Sequence, residues 1–103
     1  MEPMTVKDLI NTSYEIADLK GFHEQSHPNF SEKLLLIVSE IIELQEADRK
    51  DKGEAAQLEE LADIFIRLGD FCGIFYGALD VEDAIRKKHE KNRHRPYRHG
   101  CLY

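Results

Sequence analysis

The chain has no tryptophan, only two cysteines and only three prolines among its 103 residues. Cys72 and Cys101 are far apart and have no metal-knuckle spacing, so neither a zinc ribbon nor a dense disulfide scaffold is indicated. A reduced, cytoplasmic protein is the default expectation, although one disulfide is compatible with the sequence. Cys72 reads as a small core residue. No run of about 18 apolar residues exists, which argues against a membrane span. The opening MEPMTVKDLI lacks a basic stretch followed by an apolar one, so no signal peptide is expected. Strand-like alternation, internal repeats and low-complexity segments are also missing. The length suits one domain, residues 1–103, with a modest core that burial in an oligomer would help.

Charge is plentiful but unevenly placed. The net charge is −6, yet residues 86–99 carry seven Lys or Arg against Glu90 alone. That segment is therefore +6 on a body of −12. A basic end on an acidic body suits nucleic-acid contact, or a strip of cations facing an anionic ligand.

Apolar periodicity predicts helices nearly throughout, an all-α bundle of about four. The first runs from about Thr5 to Lys20, with Val6, Leu9, Ile10, Ile16 and Leu19 inward and Gly21 as the stop. Residues 21–29 read as a loop, because Pro28 disfavours helix at His27. The second helix runs from Phe30 or Ser31 to about Lys50. Its unbroken run Leu34–Val38 predicts burial on most sides. The third spans about Glu54–Tyr76, and Gly69, Gly73 and Gly77 at four-residue steps suggest a closely approaching helix. A fourth begins after Asp80 as N-cap, has Glu82 and Asp83 in its first turn, and is ended by Pro96.

Two acid pairs carry the chemistry. Glu40 with Glu43, and Glu60 with Asp63, are each spaced i,i+3, so each pair shares a helix face. Both lie within strongly apolar stretches (LLLIVSEIIEL and EELADIFIRL). Acids crowded near a core boundary repel unless a cation compensates. For an all-oxygen site that cation is hard: Mg²⁺, or Mn²⁺. A short turn joins the two helices, so they should lie antiparallel with the pairs at similar heights. An exposed ExxE is otherwise an ordinary helix surface. Arg67 reads as a helix-face ion pair with Asp63 or Asp70, or else as a ligand contact. Lys88, Asn92 and Arg95 at i, i+4, i+7 fall on one helix face and offer phosphate oxygens a point charge, an amide and a planar fork.

SEIIEL, then EELADIF, then KxxxNxxRPYRHG resembles the MazG-like all-α nucleotide pyrophosphohydrolases over roughly residues 27–100. Sixteen residues separate Glu43 from Glu60, which suits the family pattern. The resemblance implies hydrolysis of a nucleoside triphosphate, with deoxynucleotides expected, to the monophosphate and pyrophosphate. It also implies Mg²⁺ dependence and a homodimer or homotetramer. By carry-over Glu40, Glu43, Glu60 and Asp63 would bind metal, and Lys88, Asn92 and Arg95 would meet the phosphates. Glu43 is the candidate general base, and Lys88 and Arg95 the charge-stabilising catalytic groups. Phe22, His23, His27 and Lys33 are candidates for holding base or sugar. Relatives often stack the base on Trp; here His23, a Phe or a Tyr must serve.

Three other readings compete. A phosphoribosyl-ATP pyrophosphohydrolase shares the same resemblance. A di-iron bundle needs two ExxH motifs, and only Glu24–His27 is present. A non-catalytic adaptor or nucleic-acid binder would use residues 86–99, but the acidic body argues against tight DNA binding.

Overall fold

The computed structural model describes residues 2–24 and 28–97. Four helices follow one another: α1 (Val6–Leu19), α2 (Phe30–Arg49), α3 (Glu54–Phe75) and α4 (Ala78–Arg93). No strand occurs among the described residues, so the chain is an all-α helical bundle. No described helix is long and apolar enough to cross a membrane.

Local chemistry sets the helix starts. Thr5 Oγ1 accepts from the Asp8 backbone N–H at 3.0 Å, and Asp8 Oδ2 accepts from the Thr5 N–H at 3.1 Å. This reciprocal box satisfies two orphan donors of α1. The Thr5 backbone N–H that donates to the Asp8 carboxyl holds that carboxyl below its ordinary value. Asn29 Oδ1 accepts from the Glu32 N–H at 2.9 Å and starts α2. Gly53 and Gly77 precede α3 and α4 with φ of +92° and +99°, a conformation that disfavours side chains. Gly21, at φ +84°, follows the α1 cap, as a helix-terminating glycine should.

α3 is the hub. α1 packs along one side of it and α2 along another, while α4 rests on α1 and more lightly on α3. Ser13 on α1 explains the first of these contacts. A Cβ placed on Gly69 would lie 2.9 Å from Ser13 Oγ and 3.2 Å from the Leu9 carbonyl oxygen. One on Gly73 would lie 2.8 Å from the Tyr14 ring. The glycines thus admit α1 at close range, as the stripe suggests. Gly77 is different: nothing lies within 4 Å of its Cβ position, and it caps α4 instead. α2 is fixed against the far end of α3 by Phe30, whose ring meets Phe71 and Phe75 edge-on at 5.0 Å. The N-terminus of α1 is tied to α4 by the Lys7 N–H, which donates to Glu82 Oε2 at 3.1 Å.

Several expectations change. α4 starts at Ala78, not after Asp80, because Gly77 supplies the turn; Asp80 falls in the first helical turn. α4 stops at Arg93, before Arg95, since a residue preceding proline avoids helical backbone. Ile16 and Leu19 are exposed, and the inward side of α1 is Val6, Leu9, Ile10, Ser13 and Ala17, Ile10 and Ser13 being buried. The run Leu34–Val38 is not buried on most sides: only Ile37 is buried, and Leu34, Leu35 and Val38 are exposed. The tail from Arg98, with Cys101, lies outside the described residues.

Candidate metal centre

α2 and α3 run antiparallel, and the two acid pairs meet across them. One carboxylate oxygen each from Glu40, Glu60 and Asp63 lies within 4.8 Å of the others. Glu40 and Glu60 are partly buried, while Asp63 opens to solvent. Glu43 lies close enough to Glu40 and Glu60 to feel both carboxyls. The Glu40 contact, then charge repulsion from Glu40, and more weakly from Glu60, push the Glu43 carboxyl above the ordinary glutamate value. The expected facing of the pairs is therefore what the fold produces.

The oxygens are unequally served. Arg67 Nε donates to Glu40 Oε1 at 2.9 Å. Glu40 Oε2 and Glu60 Oε2 are buried and have no hydrogen-bond partner. A buried acceptor without a donor costs on the order of 1–3 kcal/mol. Four acids with one guanidinium also leave a local charge deficit. Hard cations with bonds of about 2.0–2.6 Å accept oxygens on opposite sides about 4–5 Å apart. The donor set, its oxygen-only chemistry and its spacing all fit such an ion. Arg67 corrects one expectation. Its partner is neither Asp63 nor Asp70 on its own helix but Glu40 on α2, and Asp70 is engaged by His23 instead.

Asp70 is occupied elsewhere. His23 Nε2 meets Asp70 Oδ1 at 2.7 Å, and His23 Nδ1 meets Asp18 Oδ1 at 3.2 Å. Both ring nitrogens face a carboxylate, so a neutral imidazole donates to only one of them. The ring lies 4.5 Å from that of Tyr14. His23 is thus a clamp joining the loop after α1 to α3. Phe22, His23 and Lys33 line one cavity of about 240 Å³ together with Tyr14, Pro28 and Ile74. His27 lies outside the described residues. Sequence reasoning missed Tyr14, Asp18, Asp70 and Ile74 at this place, and no local motif marks them, since they converge from α1 and α3.

The cations of α4 stand apart from the acids. Lys88 borders a different, almost wholly apolar hollow of about 410 Å³, beside Tyr76, Val81 and Ile85. Lys88 and Asn92 lie on α4, but Arg95 follows the His94 cap, so the single-face strip does not extend to it. Among the described residues no hydrogen bond or ion pair links Lys88, Asn92 or Arg95 to Glu40, Glu43, Glu60 or Asp63. Cys72 borders the same hollow, and burial pushes its thiol up. No family model, curated protein or solved structure matches the chain.

Proposed function

We propose that the chain is a divalent-cation-dependent nucleoside triphosphate pyrophosphohydrolase, converting a (d)NTP and water to a (d)NMP and pyrophosphate. The observation that carries this reading is the pair of buried, partnerless oxygens on Glu40 and Glu60, set beside Asp63 and Glu43 on facing helices. A carboxylate cluster of this kind is suited to holding Mg²⁺ against phosphate oxygens. The resemblance in the ordered motifs supplies the substrate class.

Glu40, Glu60 and Asp63 would hold the ion, with Glu43 at its edge. The bound cation would lower the pKa of a coordinated water and offset charge on the phosphates. Glu43 has the role of taking the water's proton; in the ion-free chain the neighbouring Glu40 raises its proton affinity. Water oxygen attacks the α-phosphorus, the bond to the bridging α–β oxygen breaks, and pyrophosphate leaves with the electron pair. Lys33, and the cavity it shares with Phe22 and His23, are assigned to the nucleoside end. Lys88, Asn92 and Arg95 are assigned to the phosphates on the resemblance alone.

The test is a panel of nucleoside triphosphates with Mg²⁺, with pyrophosphate and orthophosphate measured separately. Pyrophosphate release is expected, and Glu43→Gln should lower kcat by about 10²–10⁴-fold if it removes the base. Full turnover by Glu43→Gln removes that role. No turnover of any nucleotide rejects the enzyme reading.

A further inference from the structure

Among the described residues, Arg67 is the one Lys or Arg that forms an ion pair with the four acids. Its Nε donates to Glu40 Oε1 at 2.9 Å. No hydrogen bond or ion pair to any other described residue engages the guanidinium. A guanidinium carries five N–H donors in a fixed fork, so one carboxylate oxygen leaves most of them for a ligand. The side chain is 42 % exposed, and its remaining donors reach solvent beside the carboxylates.

The place of Arg67 along α3 matters as much as its charge. Glu60, Asp63, Arg67, Asp70 and Ile74 follow a 3,4,3,4 spacing, which is one stripe of the helix. Glu60 and Asp63 belong to the acid cluster. Asp70 holds His23, and Ile74 lines the same cavity as His23. On α2, Lys33 of that cavity and Glu40 of the cluster are seven residues apart, two turns on one face. Cluster and cavity therefore lie along one side of the α2–α3 pair, about 10 Å apart along the helices. Arg67 stands between them, one turn beyond Asp63 and one turn short of Asp70. A ligand that reaches from the acids to the cavity passes this side chain.

Resting on the function given above, we propose that Arg67 is a catalytic residue that grips the α-phosphoryl group of the nucleoside triphosphate. With the nucleoside in the cavity and the outer phosphates at the acidic end, the phosphorus beside Arg67 is the one attacked. The water oxygen bonds to it as the bond to the bridging α–β oxygen breaks. The water's proton passes to Glu43, and the electron pair leaves with pyrophosphate. The non-bridging α oxygens stay anionic throughout and match a guanidinium edge bidentately. Glu40 holds the guanidinium by its Nε, so the fork is oriented before the ligand arrives. Lysine offers a point charge on a flexible stem and cannot present that planar edge.

The test uses the two reaction products as probes: the nucleoside monophosphate whose triphosphate is turned over fastest, and inorganic pyrophosphate. Each is titrated by calorimetry with Mg²⁺ into the parent, Arg67→Lys and Arg67→Gln. Arg67→Lys keeps the charge and loses the fork. It should bind the monophosphate at least about tenfold more weakly than the parent does, and pyrophosphate equally well. Arg67→Gln, whose amide can still donate to Glu40, should bind the monophosphate no better than Arg67→Lys. The rise in melting point with Mg²⁺ should persist in both variants, which separates a ligand contact from mere support of Glu40. Unchanged monophosphate affinity in both variants overturns the proposal and leaves the enzymatic reading standing. So does an equal loss for pyrophosphate in Arg67→Lys, which moves the side chain to the leaving group. Loss of the Mg²⁺ response together with monophosphate binding also overturns it, because Arg67 then only supports Glu40. A parent that turns over no triphosphate rejects the enzymatic reading and this role with it.

Discussion

Glu43 shows what one side chain in this cluster contributes. Its native-state proton affinity is raised above the ordinary 4.5 by the hydrogen bond and charge of Glu40. The folded chain then holds a proton that the unfolded chain has already lost. Stability therefore falls as pH rises from 4.5 through the raised native value, and is regained on acidification. Glu43→Gln removes this penalty. Without divalent ions, the variant should melt higher than the parent at neutral pH, with the gap closing toward pH 4.5. Melting curves across pH check this; a gap that widens on acidification contradicts it. Gly69 makes an opposite demand. Alanine favours helix, yet here its methyl group would meet Ser13 and the Leu9 carbonyl oxygen inside ordinary contact distance. Gly69→Ala should destabilise by about 1–3 kcal/mol despite its better propensity, as measured by denaturant unfolding. The glycine step is legible in the sequence; the backbone carbonyl that forbids the methyl is not.

Each helix combines local chemistry with contacts from afar. Asn29 caps α2 through the Glu32 N–H, and Asn29→Ala should cost about 1 kcal/mol of stability. Its signature is local, so the start of α2 can be read directly from the chain. The limits of α4 mix both kinds of information. The pre-proline position of Arg95 is written in the sequence, and it ends the helix sooner than a 3.6-residue extrapolation to Pro96 suggests. Pro96→Ala should lengthen α4 and raise helix content by circular dichroism. Asp80 has the chemistry of an N-cap, but Gly77 with its positive φ already turns the chain, so Asp80 serves the first turn. His23 binds elements that no periodicity connects. His23→Ala should leave Asp70 unpaired and destabilise by about 1–3 kcal/mol, more than its loop position suggests.

At the scale of the molecule, the acid cluster links folding to cation binding. An ion that binds only the folded chain stabilises it by about 2.7 kcal/mol at 100 times its Kd. Mg²⁺ should therefore raise the melting point, and Glu60→Gln should remove most of that rise; an unchanged rise contradicts the assigned ligands. The same helices expose their other faces. α2 is apolar on more than one side, which the run from Leu34 to Val38 already announces. Within one chain only the side holding Ile37 is covered. The expectation of burial on most sides is unmet in the chain.

The sequence by itself determined the class of fold and the identity of the four acids. Periodicity, caps and i,i+3 spacing act within a few residues, where covalent geometry dictates which side chains share a face. It also marked Gly69 and Gly73 as a stripe suited to a close helix approach, and the structure shows that helix to be α1. Only the tertiary structure decided that Arg67 answers Glu40, that His23 lies between Asp18 and Asp70, and that two carboxylate oxygens stay without donors. Those facts depend on how α1 and α2 are rotated about α3. That rotation follows from the packing of Ile10, Ile37 and Phe71 and from the close approach at Gly69, contacts between residues distant in the chain whose partners no local pattern names.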